Sequence, residues 1–479
     1  MGETAMPDHV STDRRGFLKL AAGTSALAGL AAVMPSARSL PKTFYTSRSS
    51  AKTTKLVVAF NGTQASTTQQ QLARRFQHLY PNTQVEFAGY PAPDWNGFFA
   101  KVLTQLAAGV EIDAVDVATE GVQLFAHQGL ALPLDHYVTR DKAELKSFFD
   151  DVNPILIEAM MYQGSLFLLP TDFNAGNLYY DTTLFDKAGV GRPAANWTRD
   201  DFEKIVKHWA NKSNAVGWDW VVRLWGSWTS WMYANDANLL TEEKWGGGQW
   251  LWDTFYPNDK GKPYRTGGYR WGAPTANAPA TIEALQFMFD LQKQGVAPQP
   301  DLGGGNELQG LFSSNKIATT IGGGFWAGGL HAAGMKPNAF DVQYFPSWKV
   351  QKMLFGTAGY AILKKSKNPD AAWEFLKYIT SPESLSLLVG KAAGNVSTPA
   401  RRSMLTASAY ATTGPKHWQV FYDSLDKFPN TTAIPAPPYY EALNTAFIRR
   451  TTQALGAGGN AKSALDGLQS DLEKLYRQG

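Results

Sequence analysis

Lys55-Leu56-Val57-Val58-Ala59-Phe60-Asn61-Gly62-Thr63 decides the fold of this 479-residue chain. The apolar run from Leu56 to Phe60 predicts a strand buried on both faces, and Asn61-Gly62-Thr63 is the turn that ends it. A helix follows, with Leu72, Phe76 and Leu79 at i, i+4 and i+7 before Pro81-Asn82 stops it. Val85-Glu86-Phe87 restarts a strand. Phe99, Val102, Leu103 and Leu106 mark a second amphipathic helix ending at Gly109, and Ala114-Val115-Asp116-Val117-Ala118 is a third strand. Strands alternating with helices of this length imply a parallel or mixed sheet with helices on both faces. Such sheets bind ligands at the carboxyl ends of their strands. Two of those ends, Asn61-Gly62-Thr63-Gln64 and Thr119-Glu120-Gly121, are polar and read either as turn chemistry or as ligand contacts.

Further along, the same local rules predict more elements. Thr198 with Asp201 three residues later is a capping box for a helix through Phe202, Ile205, Val206 and Trp209. Pro279 and Gly295 bracket another helix as first residue and terminating glycine. Asn368-Pro369 and Ser381-Pro382 are cap-plus-proline starts. Ala372, Phe375, Leu376 and Ile379, then Leu465, Leu468, Leu472 and Leu475, have the spacing of core-facing helices.

Length exceeds what one hydrophobic core supports, so two lobes are expected. With 18 % charged and 44 % apolar residues the chain is globular, neither disordered nor a membrane protein. The net charge of +4 comes without any Lys/Arg cluster, which excludes a nucleic-acid partner. Arg14-Arg15 ahead of the apolar run Leu20 to Met34 reads as a twin-arginine export signal over 1–39, with cleavage expected near Leu40. Residues 40–54 read as a linker, and the expected location is periplasmic or otherwise extracytoplasmic, with retention through an uncleaved signal left open. Cysteine is absent, which rules out a lipoprotein anchor, disulfides and thiolate metal sites.

Nine of the 16 tryptophans fall between Trp209 and Trp252. Indoles combine a flat apolar face with one N–H donor, so they serve a core or stack on a sugar ring, and most of the nine are expected in a core with one to three facing a ligand. Trp225, Trp228 and Trp231, spaced by three, place one or two of their rings toward a cleft.

The run Leu103-Thr104-Gln105-Leu106-Ala107-Ala108-Gly109, Asp113 to Val117 and Gly129-Leu130-Ala131-Leu132-Pro133-Leu134-Asp135 resembles the first lobe of the family 1 extracellular solute-binding proteins, the maltose-binding-protein-like subunits of ABC importers. The similarity continues through Asn177-Leu178-Tyr179-Tyr180-Asp181, Phe312 to Ala318, Gly323-Gly324-Phe325-Trp326 and Asn368 to Leu376, in order, over roughly 55–479. It implies an α/β, type II periplasmic-binding-protein-like fold of two lobes joined by crossing segments. On this chain the lobes would be 55–176 plus 362–430 and 177–361 plus 431–479, with crossings near 174–180, 356–363 and 431–438. The implied function is capture of a sugar, a di- or oligosaccharide, by a monomer that delivers it to the transmembrane subunits of a permease, without cofactor or metal.

The resemblance puts a stacking aromatic at Trp326, after three glycines, and a further aromatic wall at Tyr439 and Tyr440. Carboxylates accept paired hydroxyl hydrogen bonds, which makes Glu120 and Asp172 candidate contacts; Asn174 is a further polar partner, with Arg401 as another and Asn61 and Thr63 at the first strand end. A polar non-sugar solute such as a glycerophosphodiester is the alternative ligand. The alternative of another class is a secreted carbohydrate-active hydrolase using Glu120 with Asp172 as its acid pair. Against an enzyme, Ser313-Ser314-Asn315-Lys316 lacks the partner motifs of a serine acyltransferase, and the glycines at 303–305 and 322–324 lack a P-loop ending and read as turns.

Overall fold

A computed structural model describes residues 53–300 and 306–478. The signal at 1–39, most of the linker and the glycines at 303–305 lie outside the described residues. Early strands are β1 (Thr54–Phe60), β2 (Thr83–Gly89), β3 (Ala114–Ala118), a short pair β4 (Met161–Tyr162) and β5 (Ser165–Leu166), β6 (Leu168–Ala175) and β7 (Asn177–Asp181). Later ones are β8 (Val216–Trp218), β9 (Leu240–Lys244), β10 (Tyr269–Pro274), β11 (Ile317–Gly322), β12 (Phe340–Gln343), β13 (Leu354–Ile362), β14 (Thr398–Pro399) and β15 (Thr432–Ala433).

The predicted alternation of strands and helices folds into a mixed sheet of order β14-β6-β13-β3-β1-β2, with β15 against β13. β1 runs parallel to β2 and β3, while β13 is antiparallel to β3 and β6. Leu56, Val58 and Ala59 of β1 are buried, as a continuous apolar run requires. A second sheet has the order β12-β7-β11-β8. The chain passes from one sheet to the other at Gly176, between β6 and β7, and β13 lies with its whole length in the larger sheet.

Local signals explain the helix ends. Thr198 accepts from the Asp201 amide while the Asp201 carboxylate accepts from the Thr198 amide, a closed capping box at the start of Arg199–Val206. Thr198→Ala removes the hydroxyl that caps the Asp201 amide and donates to the Asp201 carboxylate, and leaves the backbone N–H of the reciprocal bond in place. The expected loss is about 1 kcal/mol, read as a lower urea midpoint at unchanged slope. Pro279 opens the helix Pro279–Lys293, and Gly295 follows it at φ +67. Ser381 caps its helix through the Ser384 amide. Asn368 departs from the expectation: Pro369 begins the helix, but the Asn368 side chain donates to the Lys55 carbonyl and the Asp113 carboxylate, tying the helix to β1 instead of capping it.

The tryptophan stretch divides in two. Trp209, Trp218, Trp220, Trp228 and Trp231 are buried beside the smaller sheet, with the Trp231 ring 4.6 Å from Phe345 and 4.9 Å from both Phe202 and Phe287. Trp245, Trp250 and Trp252 lie in an excursion, β9 to β10, that packs on the strands and helices around β4 and β5. There Trp250 donates to the Gly164 carbonyl, the Tyr256 hydroxyl donates to the Phe149 carbonyl, and Lys244 meets the buried Glu158 at 3.1 Å. Gly164, Gly267 and Gly268 permit this contact, since a Cβ at Gly268 would stand 2.2 Å from the Met161 carbonyl.

Candidate functional site

Three strands of the larger sheet, β1, β2 and β3, deliver their carboxyl ends to one cavity of about 620 Å³. Asn61 follows β1, Asp94 and Trp95 follow β2 at the start of the helix Trp95–Ala107, and Glu120 follows β3 in the first turn of the helix Thr119–His127. Its floor comes from Asp116 of β3, Ala358 of β13 and Asp172 of β6. Facing them from the other side are Arg223, Trp225, Phe325, Tyr440 and Asn444. This is the crevice expected of an open α/β sheet, and its volume is that of a small-ligand pocket.

Trp225 reaches the cavity because the backbone breaks. Trp225 is extended (φ −67, ψ 126) and Gly226 adopts φ +112, ψ −131, a conformation that essentially only glycine takes. The break turns Trp225 out, while Trp228 and Trp231, on the turns that follow, enter the core. The Trp225 ring lies 5.6 Å from that of Phe325, and the Arg223 guanidinium sits 5.6 Å from its centroid. Arg223 also donates Nε–H to the Trp225 carbonyl. Across the cavity Trp95 is half-buried and stacks on Phe99 at 5.7 Å.

Of the residues singled out in the sequence, the structure brings together Asn61, Glu120, Asp172, Asn174, Trp225 and Tyr440. The two asparagines are partly committed to the fold. Asn61 accepts from the Ala92 amide, and Asn174 donates to Ser397 while accepting from the Phe325 amide.

Five residues are placed elsewhere, each for a packing reason. Thr63 is exposed because its turn lays its backbone against Gly89 of β2. Trp228 is fully buried, 4.6 Å from the Phe447 ring. Trp326 is 3 % exposed and packs on Tyr179 and Phe312 at 5.4 and 5.6 Å. Its neighbour Phe325 lines the cavity instead, since successive residues of a helix point about 100° apart. The same divergence separates Tyr440, in the cavity, from Tyr439, which lines a groove beside the helix Tyr440–Gly456. Arg401 is buried and donates to the Thr380 and Ser147 carbonyls. The glycines before Trp326 do serve close approach, but to protein: a Cβ at Gly323 would meet Asn174 at 2.6 Å and one at Gly324 would meet Thr398 at 1.8 Å.

Sequence reasoning missed Trp95, Asp116, Arg223 and Phe325. Trp95 had a signal, because the strand-end rule applies to β2 as it does to β1 and β3. So did Asp116, a carboxyl inside an otherwise apolar strand.

Electrostatically the cavity is acidic. Burial pushes Glu120 up from 4.5 to about 7, against the lowering effects of its own backbone N–H and of Arg223. Burial likewise raises Asp172 to about 6, against hydroxyl donation from Ser397 and Thr171. Asp116 is raised by burial first and by the nearby Asp172 second. For Glu120 the sign follows directly. The folded state holds its proton up to about pH 7 and the unfolded chain only to about 4.5, so the stability this group contributes is complete below 4.5 and is lost as pH rises to 7. Glu120→Gln removes that slope. Unfolding free energies of the variant and the parent, measured by urea without ligand from pH 4.5 to 7.5, are expected to diverge in the variant's favour, by at most about 3 kcal/mol.

Among the described residues no helix is long and apolar enough to cross a membrane, and no group of three His, Cys, Asp or Glu side chains could hold a metal ion.

The family model described as bacterial extracellular solute-binding protein matches residues 61–385. An ABC substrate-binding protein of Listeria monocytogenes, solved in complex with cycloalternan, superposes with a TM-score of 0.71 at 20 % identity, covering 88 % of this chain and 99 % of that one. The GacH receptor of Streptomyces glaucescens, solved unliganded and with acarbose, gives 0.68 at 20 % identity over 89 % of this chain and 99 % of that one. The maltotriose-binding protein of Pyrococcus abyssi is 24 % identical over 332 residues, 67 % of this chain and 61 % of that one. With the type II periplasmic-binding-protein fold shared over nearly the whole length of these two solved proteins and the family model spanning more than half of its length, this chain belongs to the bacterial extracellular solute-binding proteins.

Proposed function

We propose that this protein captures a saccharide of a few rings and hands it to an ABC permease. The observation that carries this reading is the pairing of aromatic faces with carboxyls in one cavity: Trp95 on one side, Trp225 and Phe325 on the other, Glu120 and Asp172 between. Rings take the apolar faces of a sugar while carboxylates accept from its hydroxyls. The sugars bound by the similar solved proteins and by the maltotriose-binding relative support the same class. Four cavity carboxyls against one guanidinium disfavour a phosphodiester.

On this reading the two sheets belong to two lobes that close on the ligand, and closure is favoured by as much as the ligand's contacts differ between the open and closed forms. Lobe one takes 55–176 and the larger-sheet strands from β13 to β15; the β9 to β10 excursion moves with it. Lobe two takes the smaller sheet and the C-terminal helices. Export by the twin-arginine route and a monomeric state complete the proposal.

Glu120 and Asp172 share the cavity, which also keeps the hydrolase reading testable. Thermal shift against a saccharide panel, followed by calorimetry and product analysis on the hits, separates the two. Stoichiometric binding with the sugar recovered intact supports capture. Release of shorter sugars over many turnovers would establish a hydrolase, and a shift with phosphodiesters alone would replace the ligand class.

A further inference from the structure

We propose that the saccharide carries a cationic amine, and that Asp116 and Asp172 form the subsite that holds it; this rests on the saccharide reading above. β13 runs between β3 and β6, and Ala358 pairs with Ala118 on one side and Asp172 on the other. Residues paired across a sheet share a face, as do residues two apart on a strand, so Asp116, Ala118, Ala358 and Asp172 all stand on the cavity face. The two alanines leave a hollow; Asp172 stands in their row, and Asp116 stands two residues away along β3, opposite Tyr360, the two acids being on strands two spacings, about 10 Å, apart.

These acids lack the compensation found elsewhere in the cavity. Arg223 acts on Glu120 and Tyr440, whereas the charge acting on Asp116 is that of Asp172. Asp172 receives hydroxyl donors from Ser397 and Thr171, but the Asp116 carboxyl has no hydrogen-bond partner among the described residues. When closure dries the cavity, sugar hydroxyls satisfy hydrogen bonds but neutralise no charge. An ammonium does both, and the faces of Trp95 and Trp225 add cation–π attraction. At the Glu120 end Arg223 offsets part of the carboxyl charge, and that end is left for hydroxyls. With no cluster of metal-ligand spacing among the described residues, the cation that fits is an amine rather than a metal ion.

The test uses matched pairs in calorimetry with the whole protein: cellotriose against the β-1,4 trimer of glucosamine, and maltotriose against its 1-amino-1-deoxy derivative. The amine member is expected to bind about tenfold or more tightly in at least one pair. Asp116→Asn should bring that ratio close to one, with Asp172→Asn as the second variant if the first does not fold. Neutral members binding as well as their amines would overturn the subsite while leaving saccharide capture standing. Binding by no member of either pair would overturn both.

Discussion

Replacing Trp225 with alanine is expected to raise the dissociation constant for the captured saccharide by about 10- to 100-fold. The indole is half-buried, lies against Phe325 and under the Arg223 guanidinium, and presents its remaining surface to the cavity. Truncation therefore removes a stacking face and leaves the guanidinium without its aromatic support. The fold loses little, because the Gly226 break, not the indole, sets the backbone there. Calorimetry against the best saccharide, with the melting temperature of the free protein as control, checks both parts. An affinity within twofold of the parent would remove Trp225 from the binding wall. Trp225→Phe separates shape from size: a smaller ring that still stacks should recover part of the loss.

The second large effect falls on stability. The resemblance makes Trp326 a stacking ring for the ligand, whereas the structure buries that ring in the core. Trp326 fills the space beneath Tyr179 and Phe312, and its ring abuts Gly322 so closely that a Cβ there would stand 2.9 Å away. Emptying that space is expected to cost about 3–5 kcal/mol and to lower the melting temperature by roughly 5–15 °C. Phe325→Ala, one residue earlier, is the paired control: it should weaken binding with a smaller loss of stability, because Phe325 is only half-buried and lines the cavity. Identical behaviour of the two variants in both measurements would mean that the helix Phe325–Ala332 does not divide these two rings between cavity and core.

How far the sequence carried can be followed through single residues. Leu56 to Phe60, the capping box at Thr198, Pro279 with Gly295 and the apolar spacing after Asn368 were all legible because each depends on neighbours within a few residues. The binding crevice was legible at Asn61 and Glu120, since a strand end marks it whatever the ligand. Among the tryptophans the pattern failed. Spacing by three joins Trp225, Trp228 and Trp231 on one face only if the helix is continuous, and a single glycine conformation breaks it. Trp245, Trp250 and Trp252 adjoin the others in sequence yet pack around Gly164 and Glu158, because the β9 to β10 excursion leaves the smaller sheet.

The feature that sets the proposed specificity was the least visible. Asp116 and Asp172 are 56 residues apart in the chain, and they line one cavity only because β13, drawn from nearly two hundred residues further on, lies between their strands with Ala358 on the same face. Sequence by itself determined the alternating elements, their caps and the family, because hydrophobic periodicity and turn chemistry act over a few residues. Tertiary structure alone decided which ring faces the cavity and which carboxyls stand together, because a side chain's surroundings are supplied by strands and helices that local periodicity does not describe.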